Sequence, residues 1–273
     1  MGRVEDRLYG IGASLDVGGM RFAAVLTIIV YLCLVPLEKV SISRMILYIM
    51  CFLIISVVGN MIGRSTTIGI VVSIFIAIGI SLRNWRTSSN VTMFWRVFLI
   101  LLVVFVPVLV VLYNVNPVIA GNIRFAFEGF FSLVEVGRWE VHSNEILRNM
   151  IVFPDNARTW FIGDGYIENP YHVDPYYTGP RTGGYYMGTD VGYLRFLFYF
   201  GICGTVAFIS YMFVAAQICV RRFESSKILM YGVLAINYII WFKVASDLYL
   251  LLALFLCVPA DKEQQNAMIT AEK

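Results

Sequence analysis

Apolar residues in this chain come in long runs broken by short polar connectors, a pattern that predicts membrane-spanning helices. A run of roughly 17 to 25 apolar residues is long enough to cross a bilayer as a helix. Seven stretches are candidates: 20–37, 44–59, 65–82, 95–113, 190–215, 227–242 and 245–259. The second and the last two are short, which suits spans that tilt little or rest against neighbouring helices. The predicted fold is an all-α polytopic membrane protein of about seven transmembrane helices with one large extracytoplasmic loop. Its expected organisation is 1–113, an outer N-terminal loop and four spans; 114–189, the extracytoplasmic loop; and 190–273, three spans and a cytoplasmic tail. No basic stretch followed by a short apolar core and a small-residue cleavage site opens the chain, so the spans themselves are expected to target it.

The charges on the short connectors predict orientation. One alternate set carries Lys39 and Arg44, then Arg83, Arg86 and Arg96, then Arg221, Arg222 and Lys227. The opposite set carries Arg64 and Lys243. The basic set is expected on the cytoplasmic side, which puts the long loop outside. On this reading the net charge of +3 records topology, and nothing supports a nucleic-acid partner. The five cysteines all lie in or beside apolar runs, so neither a disulfide framework nor a zinc site is expected. With two histidines in the chain, metal chemistry at a histidine cluster is not expected.

Two polar features stand out from this apolar background. The first is Gly59-Asn60-Met61-Ile62-Gly63-Arg64-Ser65-Thr66-Thr67, which interrupts a stretch too long for one helix. Arg64 is thereby placed at the start of the next span, where backbone N–H groups and the helix dipole already favour an anion. At the bilayer centre an arginine would cost about 2.5–3.5 kcal/mol. Gly59 and Gly63 are also spaced for close helix packing.

The second is the segment 114–189, which holds Arg124, Arg138, Arg148, Arg158 and Arg181 and no lysine. Arginine, unlike lysine, offers a planar fork that grips phosphate or carboxylate with two parallel bonds. Between Gly121 and about Met150, Ile123, Phe127, Phe130, Phe131 and Val134 recur at helical spacing, and Ser143 reads as the N-cap of a second short helix. Arg124 and Glu128 stand four apart, the spacing of a local ion pair. From Asp155 to Thr189 glycine, proline and tyrosine favour turns, with Tyr166 among the flat faces that suit sugar rings and membrane interfaces alike. The chain then re-enters apolar sequence through Thr189-Asp190-Val191-Gly192-Tyr193-Leu194-Arg195, where two ionisable groups open a helix.

The order of these parts resembles a known family. The elements are the Arg64 break, a long outer loop with scattered arginines, and the turn Phe161-Ile162-Gly163-Asp164-Gly165-Tyr166. The Asp190–Arg195 entry follows, leading into Tyr199-Phe200-Gly201-Ile202-Cys203-Gly204, with Trp241-Phe242-Lys243 ahead of the last apolar run. Together they resemble bacterial O-antigen polymerases of the Wzy type and, more broadly, the superfamily of O-antigen polymerases and ligases, over about residues 7 to 259. Members usually have more spans, so the chain looks like a C-terminal portion. Ligases often carry a histidine near the return into the membrane, where this chain has Asp190, which favours a polymerase.

The resemblance implies glycosyl transfer on the outer face of the bacterial cytoplasmic membrane, building O-antigen or capsular polysaccharide from polyprenyl-diphosphate-linked repeat units. It implies catalytic roles for Asp190, Arg64 and Asp164, and substrate contacts from Arg124, Arg158, Arg181, Arg195, Tyr166 and Tyr193. Arginines that meet the diphosphate as it leaves would make a cofactor or metal unnecessary. The implied partners are the lipid-linked glycan, membrane lipids, a flippase and a chain-length regulator. An O-antigen ligase, a lipid-linked sugar transporter and a non-catalytic member of an envelope-assembly complex are the alternative readings.

Overall fold

The computed structural model describes residues 15–35, 39–84, 88–169 and 184–257. Helix dominates, and among the described residues the β-structure is a single bridge pairing Glu168 with Tyr185. The chain forms two compact units, one of Met1–Trp139 with Tyr231–Ile236 and one of Glu140–Met230 with Asn237–Lys273.

Four membrane-length helices build the first unit: α1 (Leu15–Leu34), α2 (Ile42–Ile62), α3 (Thr66–Asn84) and α4 (Ser89–Val115). α1 packs on α2 and α3, and α2 packs on α4. Lipid tails are as apolar as leucine, so helices in a bilayer associate through close packing and interhelical hydrogen bonds. Both appear here. Gly69 of α3 lies against the backbone of Ala23 of α1, where a Cβ would collide. Buried hydroxyls of Thr27 and Ser73 join the same two helices at 3.2 Å. On the outside, α4 is nearly bare. Only 6% of its apolar window is buried, and residues such as Val103, Val111 and Val115 are exposed. An uninterrupted apolar surface of this size marks a face that meets lipid.

α4 ends at Asn116, whose side chain accepts hydrogen bonds from the backbone N–H groups of Val118 and Ile119. Pro117 follows at the first helical position, where its missing N–H costs nothing. α5 (Pro117–Ala126) and α6 (Glu128–Glu135) then form a corner at Phe127. The amphipathic helix expected from Gly121 thus starts four residues earlier and is split in two. The split satisfies both halves of the apolar pattern: Ile123 and Ala126 join Val57 and Met61 of α2 in a core, while Phe127 and Phe131 cover its edge.

In the second unit, α7 (His142–Asn149) is capped by Val141 without a side-chain bond, so Ser143 lies inside the helix and not at its cap. α8 (Ala157–Phe161) is capped by Asn156, which accepts from the N–H of Thr159. α9 (Gly192–Arg222) is the fifth helix long and apolar enough to cross a membrane. α10 (Lys227–Ile240), part of which belongs to the first unit, and α11 (Leu251–Leu256) occupy the last two expected spans. At about 1.5 Å per residue, their 14 and 6 residues fall short of a hydrocarbon core of about 30 Å. Five helices, not seven, therefore reach spanning length among the described residues, and the protein is an all-α polytopic membrane protein.

α9 is bent at Gly201, whose φ of 65° and ψ of −175° belong to a region that only glycine enters readily. The bend is sharp. Phe196 and Phe208, twelve residues apart, would stand about 18 Å apart along a straight helix, yet their ring centroids are 4.8 Å apart. α9 is thus an arm, 192–200, folded back beside a shaft, 202–222. The shaft alone is about 21 residues, or about 31 Å, enough to cross a hydrocarbon core without the arm.

Candidate functional site

The polar features of the sequence fall into two clusters, one in each unit. In the first unit, Arg64 sits in the turn between α2 and α3. Backbone bonds from Thr66 N–H to Gly63 O and from Thr67 N–H to Arg64 O close that turn. Its compactness is steric: a Cβ on Gly19 would meet Gly63 and Ser65, and one on Gly59 would meet Thr66. Asn60 is fully buried, and its amide donates to Ser56 O while its carbonyl oxygen accepts from the Thr67 hydroxyl at 2.6 Å. A buried amide left unsatisfied would cost several kcal/mol, so this bridge fixes the geometry of the break.

The guanidinium of Arg64 pairs with Glu128 of α6 at 2.6 Å and lies over the ring of Phe125 of α5, 4.4 Å from its centroid. The two side chains are 17% and 33% exposed, so the pair is largely withdrawn from solvent. Next to it in the chain, Ser65 keeps a buried hydroxyl without a hydrogen-bond partner among the described residues. The local pair expected between Arg124 and Glu128 does not form. Arg124 reaches instead to both oxygens of Glu135, at 2.6 and 2.8 Å, and to the Tyr113 hydroxyl, and lies over Phe131. Those hydrogen bonds, first to Tyr113 and then to Glu135, raise its pKa further. The corner at Phe127 explains the exchange of partners: i,i+4 geometry needs one continuous helix, and Arg124 and Glu128 belong to two.

In the second unit, the Gly163–Gly165 turn docks against the bend in α9. Breaking a helix leaves carbonyls without their usual donors. Here the N–H of Asp164 donates to Phe198 O at 2.6 Å, and the N–H of Gly165 donates to Tyr199 O at 3.2 Å. Gly163 has a φ of +81° and lies against the backbone of Tyr199 and Gly201, while Gly201 lies against that of Phe161. Two glycine-containing motifs, far apart in sequence, are therefore halves of one joint.

Asp164 sits at the middle of that joint. Its Oδ1 accepts from the buried Thr159 hydroxyl at 2.7 Å, and its Oδ2 accepts from the Tyr186 hydroxyl at 3.1 Å. Burial first, and then this carboxylate, push the Tyr186 phenol up from its ordinary value. Tyr166, 41% exposed, tilts over the Tyr186 ring at 5.3 Å and offers an open aromatic face.

Asp190 and Arg195 pair at 3.1 Å across the start of the α9 arm, both side chains 17% exposed, and Arg195 lies over the ring of Tyr185 at 4.9 Å. The arm itself is held by apolar contact, with Leu147, Met150 and Trp160 packed on Val191, Leu194 and Leu197. Tyr193 does not offer a free hydroxyl: it donates to Tyr238 O at 2.9 Å and its ring packs on Trp241 and Phe242. Arg158 is exposed on α8, with no ion pair or hydrogen bond to its guanidinium among the described residues. Arg181 lies outside the described residues.

The structure thus joins Arg64 to Glu128, Asp164 to Thr159 and Tyr186, and Asp190 to Arg195. Glu128 was expected beside Arg124 and not Arg64, and Thr159, Tyr185 and Tyr186 were not expected as partners. A glycine within an apolar run was a visible signal for the joint at Gly201. No short-range signal pointed to Glu128. No protein-family model, curated protein or solved structure matches the chain.

Proposed function

We propose that the protein polymerises polyprenyl-diphosphate-linked oligosaccharide repeat units into O-antigen or capsular polysaccharide, as a membrane glycosyltransferase of the O-antigen polymerase and ligase superfamily. The observation that carries this reading is a repeated one. Shielded arginine–carboxylate pairs stand at the beginnings of two apolar, membrane-length helices: Arg64 with Glu128 before α3, and Asp190 with Arg195 at α9. Such places suit a substrate whose lipid tail lies in the bilayer and whose diphosphate lies at its surface.

In the proposed reaction, a non-reducing-end hydroxyl of one lipid-linked repeat unit attacks the anomeric carbon of a lipid-linked glycan. The bond from that carbon to the diphosphate oxygen breaks, and the electron pair leaves with polyprenyl diphosphate. Asp190 takes the hydroxyl proton, with its Oδ1 oriented by Arg195. Arg64 meets the charge gathering on the diphosphate, where a fixed cation lowers the barrier. Arg124 and Arg158 bind the anionic head of the substrate, and Tyr166 stacks on a sugar. Asp164, with both oxygens already accepting hydrogen bonds, holds the turn that carries Tyr166.

The basic connectors face the cytoplasm in this reading, and the segment between α4 and α9 faces outward. The short α10 and α11 return to the side that α9 reaches, whether as two spans or as one hairpin, so the orientation is the same with five spans or seven. Expression in a strain whose repeat-unit polymerase has been deleted is the test. A restored ladder of many repeats on a gel supports the proposal; a single-repeat band, with the protein present in the membrane, overturns it.

The bend at Gly201 favours one second reading, a transporter of lipid-linked sugars, because transporters build their sites on broken helices. Against this, two of the carbonyls at the bend accept from loop amides and are not open to a cargo. Uptake of a lipid-linked sugar into vesicles, with no ladder in cells, would decide for it.

A further inference from the structure

From the geometry around Arg64 we infer that Glu128 sets an affinity threshold at this site: it is an internal anion that any external phosphate must displace. The inference rests on the reading in which Arg64 binds a diphosphate. The pair is short, at 2.6 Å, and its shared environment is one in which Arg64 without a counter-charge would be costly. Glu128 supplies that charge from the start of a short helix. It is the first residue of the eight-residue α6, just past the corner at Phe127, and is not part of a membrane-length helix. A change in its rotamer withdraws that carboxylate from the guanidinium while Phe125 continues to support it from one face.

The bilayer around this protein is crowded with phosphate. Each phospholipid headgroup presents a phosphodiester with a single charge, and an uncompensated arginine near the surface would be occupied by these most of the time. The cost of displacing Glu128 is the same for every anion, so it leaves ratios of affinity alone and sets a threshold instead. A headgroup phosphodiester falls below it. A diphosphate, with two charged groups to place, stays above it. Glu128 keeps the site empty of bulk lipid and open to the diphosphate.

The test is pyrophosphate binding, by calorimetry, to the full chain in phosphatidylcholine nanodiscs and in nanodiscs that contain phosphatidylglycerol. Glu128→Gln is expected to bind pyrophosphate about three- to tenfold more tightly than the wild type in phosphatidylcholine, the worth of one partly shielded ion pair. Phosphatidylglycerol is expected to erase that gain, because headgroups then compete, and to leave the wild type little changed. Glu128→Asp keeps the charge and is expected to stay within about twofold of the wild type, which separates loss of charge from disturbed packing.

Equal or weaker binding by Glu128→Gln, with binding abolished by Arg64→Ala, overturns the role of Glu128 and leaves the Arg64 site standing. Wild-type affinity in Arg64→Ala overturns both, and so does an absence of binding by wild type and Glu128→Gln alike. A Glu128→Gln gain that survives in phosphatidylglycerol overturns the exclusion of lipid.

Discussion

Each unit contains one place where glycine interrupts apolar sequence beside a charged residue, and the two interruptions are built differently. Around Arg64 the backbone closes on itself within a short turn, and the charged side chain looks outward for a partner, finding Glu128 on another helix. Around Asp164 the backbone cannot close on itself, and two separate segments complete each other's hydrogen bonds. The charge of Asp164 is absorbed by two hydroxyls. The first break directs its charge to a contact with another helix. The second spends its polar groups on holding its shape. Damage to the first should therefore appear as lost activity, and damage to the second as lost stability.

The largest effect that would sharpen this contrast is at Arg64. Arg64→Ala, compared at equal amounts of protein in the membrane, is expected to lower polymer output about a hundredfold or more, the scale of losing one preorganised charge at a developing anion. A full-length ladder from this variant would break the comparison on its functional side. Next comes Gly201→Ala, which places a Cβ in a glycine-only conformation and against the Phe161 carbonyl. It is expected to cost about 3 kcal/mol, read as a lower unfolding temperature in detergent. Gly165→Ala separates the two causes, because its φ of +77° is unfavourable but its surroundings are open; about 1 kcal/mol is expected there.

Asp164→Asn is expected to cost about 1–2 kcal/mol, since an amide cannot accept from both Thr159 and Tyr186. If the variant instead keeps its stability and loses all polymerisation, Asp164 is a catalytic residue and the contrast between the units fails. The smallest effect belongs to Glu135→Gln. It breaks an ion pair whose side chains are nearly half exposed, and a stability change below about 0.5 kcal/mol is expected.

The helical class and the first four spans were legible because a bilayer demands long apolar runs, and that demand is local. The partners of the charged residues were not, because ion pairs and joints form between segments that sequence spacing does not relate. Arg124 and Glu128 illustrate the limit: their separation of four is a rule about one helix, and a corner at Phe127 removes its premise. Gly201 illustrates another. Glycine in an apolar run was visible, but the collapse of the arm onto the shaft depends on loop amides at 164 and 165 that lie in a different segment. The last two apolar runs read as spans by composition, and helix breaks near Trp241 and Leu248 cut them short.

A continuous helix is a stiff rod that transmits rotation from one end to the other, and α9 is jointed. At Gly201 the arm and shaft are connected by one residue in a conformation that favours glycine, with a brace of two hydrogen bonds from the Asp164 and Gly165 amides. Torque applied to the arm would load that brace before it reached the shaft. The arm that carries Arg195, the partner of Asp190, also rests on the shaft through Phe196 and Phe208, so such a load would reach the shaft through a brace and an aromatic contact and not through a continuous rod.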